Sequence, residues 1–111
     1  MNEVLVSDNM VKKIKGLDNG KNNELLKKLY YTVSKLEQNP ALTSSKKIMQ
    51  LENIYACKVG MSYRLFYAIE TDSNGKEYLI LLDFEKKKKA ISRYNIANLS
   101  DTLNNHKNRN E

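Results

Sequence analysis

An α+β domain is predicted by a change of apolar period at Pro40 and by the length of the chain. Before Pro40, apolar residues recur at three- and four-residue spacing; after it they alternate with polar ones, first in Ile54–Val59 and again in Tyr63–Tyr67. The chain has 111 residues, room for one apolar core but not two, so residues 1–111 are read as a single domain.

Taken in order, Glu3–Ser7 is short and rich in β-branched residues and reads as a strand, with Ser7 or Asp8 placed to cap a helix. Val11, Ile14 and Leu17 give that helix one apolar face, and Asn19-Gly20 ends it. A second helix from about Asn23 to Gln38 carries Leu25, Leu26, Leu29, Val33 and Leu36 as its stripe and stops at Pro40. The two form a helical hairpin whose apolar side covers a sheet.

The sheet is expected to have three or four antiparallel strands. Ile48–Leu51 reads as a brief strand start, and Ile54–Val59 puts Tyr55, Cys57 and Val59 on one face and Ile54, Ala56 and Lys58 on the other. Gly60 marks a short turn. Tyr63, Leu65, Tyr67 and Ile69 then share a face opposite Arg64, Phe66 and Ala68, so Lys58 and Arg64 can project together away from the helices. Asp72-Ser-Asn-Gly75 signals a hairpin, and the apolar run Tyr78–Phe84 suits an interior strand covered on both sides. Ile96, Leu99 and Leu103 suggest a short C-terminal helix, followed from about residue 105 to 111 by a disordered polar tail.

Composition narrows the function. The formal charge of +6 makes a polyanion the natural partner. Cys57 is the only cysteine, which excludes an internal disulfide and a Cys-rich zinc site, and its place in an apolar strand suits packing better than nucleophilic attack. No paired-carboxylate or His-x-x-x-His spacing and no Gly-rich phosphate loop occurs, so no metal and no cofactor are expected. No apolar run reaches the roughly 20 residues of a membrane helix, and the N-terminus lacks a leader pattern, which points to a cytoplasmic protein without membrane partners.

The progression Lys46-Lys-Ile-Met-Gln-Leu-Glu-Asn-Ile-Tyr-Ala-Cys-Lys-Val-Gly60, the strand Tyr63-Arg-Leu-Phe-Tyr67 and the later Leu81-Leu-Asp-Phe-Glu-Lys-Lys87 resemble the RelE/ParE superfamily of bacterial toxins. The likeness covers about Glu3 to Leu103, and the last block is similar to the RelE and phage-derived HigB branch. That resemblance implies a RelE-like fold: an N-terminal strand, a two-helix hairpin on the antiparallel sheet, and a short C-terminal helix. It also implies a type II toxin with a cognate antitoxin. In this branch the activity implied is metal-independent cleavage of mRNA, on the ribosome, by attack of a ribose 2′-hydroxyl on the adjacent phosphorus. Such a reaction needs charge stabilisation and proton transfer.

The residues that would carry it are Arg64, matching the family's strand arginine and able to clamp two phosphate oxygens, and Lys58, a candidate base crowded by cations. Lys87 and Tyr94 complete the candidate catalytic set, the tyrosine as a base-stacking or proton-donating aromatic. Lys46, Lys47, Lys86, Lys88 and Arg93 are read as RNA-binding. One departure stands out: the only histidine, His106, lies in the polar tail, and Asp83 takes the place where the phage-type branch often has histidine. The alternative reading is a ParE-like inhibitor of DNA gyrase, which shares the fold, acts by protein binding and needs no catalytic group. A third reading is a non-catalytic RNA- or antitoxin-binding relic of the fold.

Overall fold

The computed structural model describes residues 3–17, 23–39, 46–47, 54–86 and 99–104. Strand β1 (Glu3–Val6), helices α1 (Asp8–Leu17) and α2 (Asn23–Gln38), and strands β2 (Lys46–Lys47), β3 (Ile54–Val59), β4 (Tyr63–Thr71) and β5 (Glu77–Lys86) follow in chain order. They form one five-stranded sheet in the order β1-β5-β4-β3-β2. Strands β2 to β5 are antiparallel neighbours, within the three or four expected, although β2 lies at Lys46–Lys47 and not at Ile48–Leu51; the N-terminal strand joins as a parallel edge on β5, pairing Glu3 with Tyr78 and Val6 with Leu81.

Ser7 makes the turn from β1 into α1. Its hydroxyl accepts the Met10 amide at 3.2 Å and donates to the Leu82 carbonyl at 2.7 Å, so one buried side chain caps the helix and ties it to the interior strand. Ser7, not Asp8, is therefore the cap. On α1 the stripe that meets the core is Met10, Ile14 and Leu17, not Val11, Ile14 and Leu17 as the spacing predicts. Met10, fully buried, is the residue the sequence reading omits; Ile14 and Leu17 follow at the four- and three-residue intervals of one helix face. Helix α2 behaves as its pattern predicts, with Leu29 and Leu36 buried and Leu25 and Val33 packed beside them.

The sheet is covered on both faces. Cys57, Val59, Leu65, Tyr67, Leu79, Leu81 and Phe84 meet the helical hairpin, whereas Ile54, Ala56, Phe66, Ala68, Ile80 and Leu82 meet Leu99 and Leu103 from the helical segment 99–104. The switch of parity inside the continuous run of β5 comes from a β-bulge. Phe66 pairs with Asp83 but Tyr67 pairs with Leu81, which leaves Leu82 as the extra residue and sends Phe84 back to the helix side. There the Phe84 ring stacks on Tyr63 with centroids 5.1 Å apart.

The hairpin joining β4 to β5 is the Asp72–Gly75 turn. Asp72 Oδ1 accepts the amides of Asn74 and Lys76, both at 2.9 Å, and Gly75 takes the positive φ of 83° that a side chain would resist. Ile48–Leu51, Pro40, Ile96, His106 and the tail 105–111 lie outside the described residues. Among the described residues, no helix is long and apolar enough to cross a membrane.

Candidate functional site

The end of the sheet nearest the β3–β4 turn gathers the charged residues. Register puts Lys58 opposite Arg64 and Arg64 opposite Glu85, so the three form one cross-strand row. Their neighbours Cys57, Leu65 and Phe84 face the helices, which places the row on the other face, as side-chain parity predicts. Lys58 is exposed; Arg64 and Glu85 are partly buried.

The row is not the uniformly cationic surface expected from the sequence. Glu85 stands directly beside Arg64, and a carboxylate there opposes a phosphate. Lys86 is exposed, but its register partner is Tyr63, which belongs to the helix-side face, so Lys86 does not join Lys58 and Arg64. Lys46 pairs with Ala56 and Lys47 with Tyr55 in the edge strand. Lys87, Lys88, Arg93 and Tyr94 lie outside the described residues.

Two residues raised by the sequence have structural work. Asp83 is held by Lys13, Nζ to Oδ1 2.5 Å, and the same oxygen accepts the Phe84 amide at 2.8 Å. Lys13 Nζ also donates to the Phe84 carbonyl at 3.0 Å, so the pair pins α1 to the bulged end of β5. Asp83 thus acts as a strut between α1 and β5. Burial pushes the Cys57 thiol up to about 12, which keeps it protonated and unreactive near neutrality. Tyr67 is fully buried and stacks on Tyr55 at 5.5 Å, a packing role like that of Tyr63.

What the sequence reading missed lies on the surface. Tyr30, Tyr31 and Met61 are the large apolar side chains left exposed among the described residues. A signal was available: the two tyrosines fall off the leucine stripe of α2, and Met61 sits in a turn next to Gly60.

The family model for the ParE toxin of the type II toxin–antitoxin system parDE matches residues 5–91. The chain belongs to the ParE toxin family. A solved structure described as a YoeB/ParE toxin from Agrobacterium tumefaciens superposes with a TM-score of 0.63, covering 78% of this chain and 99% of that one at 7% identity, a likeness of fold. Comparison with curated proteins finds no match.

The ParE match corrects the assignment to the RelE and HigB branch. With that branch go the endoribonuclease activity, the enzyme class, and mRNA and the ribosome as partners. Family membership decides this, because the fold and its sheet core serve both branches.

Proposed function

We propose that this ParE-family toxin acts by binding and inhibiting DNA gyrase in the cytoplasm, and that a cognate antitoxin restrains it. The observation that carries this reading is the ParE family match, which runs from within β1 through β5. The mixed-charge row supports it. Lys58 and Arg64, flanked by Glu85, suit a protein surface bearing both signs of charge better than a polyanion. Both cations serve as contacts in this reading, not as acid, base or phosphate clamp.

The test is a supercoiling assay with purified toxin, gyrase and relaxed plasmid, run beside cell-free translation with primer extension on the transcript. Inhibited supercoiling with intact transcripts is the expected result. Normal supercoiling at toxin concentrations that halt growth would overturn it.

A further inference from the structure

Exposed apolar side chains are ordinary when scattered, so position decides whether Tyr31 and Met61 matter. Tyr31 is 63% exposed on α2 and Met61 93% exposed in the β3–β4 turn. Helix and turn touch: Gly60 has a φ of 63°, and a Cβ built on it would lie 3.1 Å from Cδ of Lys28. The turn that carries Met61 is therefore laid against the Lys28 side chain. Lys28 and Tyr31 are three residues apart and Tyr31 and Lys35 four, the spacing of neighbours along one helix face. The Lys35 ammonium stands 4.3 Å from the centroid of the Tyr31 ring. Lys28, Tyr31 and Lys35 thus make one strip on α2, with Lys27 and Tyr30 to one side and the turn that carries Met61 laid against its Lys28 end.

We infer that this strip is the surface by which the toxin grips gyrase, and that it takes an acidic patch with an apolar recess. The inference rests on the gyrase reading and adds to it where contact is made. An inhibitor that works by binding needs an anchor that gains by leaving water, and Tyr31 and Met61 supply one on the described surface. Lys35 holds the tyrosine ring in place before binding, which lowers the ordering cost, and the flexible thioether adapts to the recess. The three lysines give the strip its sign and so the sign of its partner.

Charge also separates a protein from a nucleic acid as the occupant. Lys27 to Lys35 spans only about 12 Å of helix axis. Glu24 stands one turn before Lys28 on the same face, so a phosphate backbone following the helix would meet a carboxylate at that end. A confined cationic patch around a thioether and a phenol fits a local acidic patch on a protein.

The experiment uses the full-length toxin and gyrase holoenzyme. Tyr31→Ala with Met61→Ser should weaken direct binding to immobilised gyrase, and raise the half-inhibitory concentration in supercoiling, by about 30-fold, the effect of losing one strong anchor. Circular dichroism and the urea midpoint should stay at wild-type values, because both side chains are exposed. Lys27→Glu with Lys35→Glu should slow association about tenfold at low salt. Lys76→Ala, at the other end of β4, should behave as wild type. Wild-type potency in the Tyr31/Met61 variant would overturn the assignment of the surface while leaving the gyrase reading intact. A wild-type toxin that does not inhibit gyrase would overturn both. Loss of affinity for bare plasmid with unchanged affinity for gyrase would assign the strip to nucleic acid and overturn it too.

Discussion

Ser7→Ala tests how α1 is held to the sheet. The hydroxyl makes two buried bonds, accepting from the Met10 amide and donating to the Leu82 carbonyl, and Ser7 itself is 2% exposed. Losing the cap costs about 1 kcal/mol. The Leu82 carbonyl then loses its partner at a place water does not reach, which costs about 1–3 kcal/mol more. A total of about 2–4 kcal/mol follows, a large share of the stability of a domain this size. Urea unfolding read by circular dichroism measures it, with Asp8→Ala as the comparison, since that neighbour is the other cap the sequence offers. Asp8→Ala should cost clearly less. A Ser7→Ala loss under about 0.5 kcal/mol, or an Asp8→Ala loss that exceeds it, would refute the argument that one hydroxyl joins helix to bulge.

Leu103→Ala should destabilise by about 2–4 kcal/mol, since Leu103 is fully buried against the sheet; a loss under about 1 kcal/mol in the same urea assay would show that segment 99–104 does not dock in solution. Cys57 should resist alkylation by iodoacetamide at pH 8 in the native protein and react fully in urea, because its thiol is buried and pushed up to about 12; labelling of both states at one rate would count against its packing role. The Lys76 amide, with help from Asn74 and Tyr78, holds the Asp72 carboxyl below its ordinary value. The anion is therefore the form the native turn binds, so its contribution is present above the unfolded pKa and is lost as pH falls through the lower folded one. Asp72→Asn should consequently flatten the loss of stability on the acid side of about pH 4, and an unchanged acid limb would show that the turn bonds form equally well to the neutral group.

Much of the fold was legible because its signals are local. The α2 stripe, the parity of β3 and β4 and the Asp72–Gly75 turn each follow from spacing or turn chemistry within a few residues. The pairing of β1 with β5 was not legible, since it joins residues more than seventy positions apart and nothing in Glu3–Val6 specifies a partner. Nor was the bulge. The run Tyr78–Phe84 reads as a strand covered on both sides whether or not a residue is inserted, and only the register with Phe66 and Tyr67 shows Leu82 to be extra. Of the candidate site, only the shared face of Lys58 and Arg64 was legible from parity; strand pairing was needed to bring Glu85 beside them and to turn Lys86 the other way.

The choice between branches of the superfamily failed for a related reason. In Tyr63-Arg-Leu-Phe-Tyr67, Leu65, Phe66 and Tyr67 are fully buried or nearly so, and in the Leu81–Lys87 block Leu81, Leu82 and Phe84 are core while Asp83 is a strut. A likeness carried by such residues reports the requirements of a sheet covered on both faces, which toxins with different targets share. Target choice is set where side chains leave the core. On this molecule we place it at the mixed-charge row around Arg64 and at the α2 strip beside the Met61 turn, surfaces that a likeness carried by the core does not report.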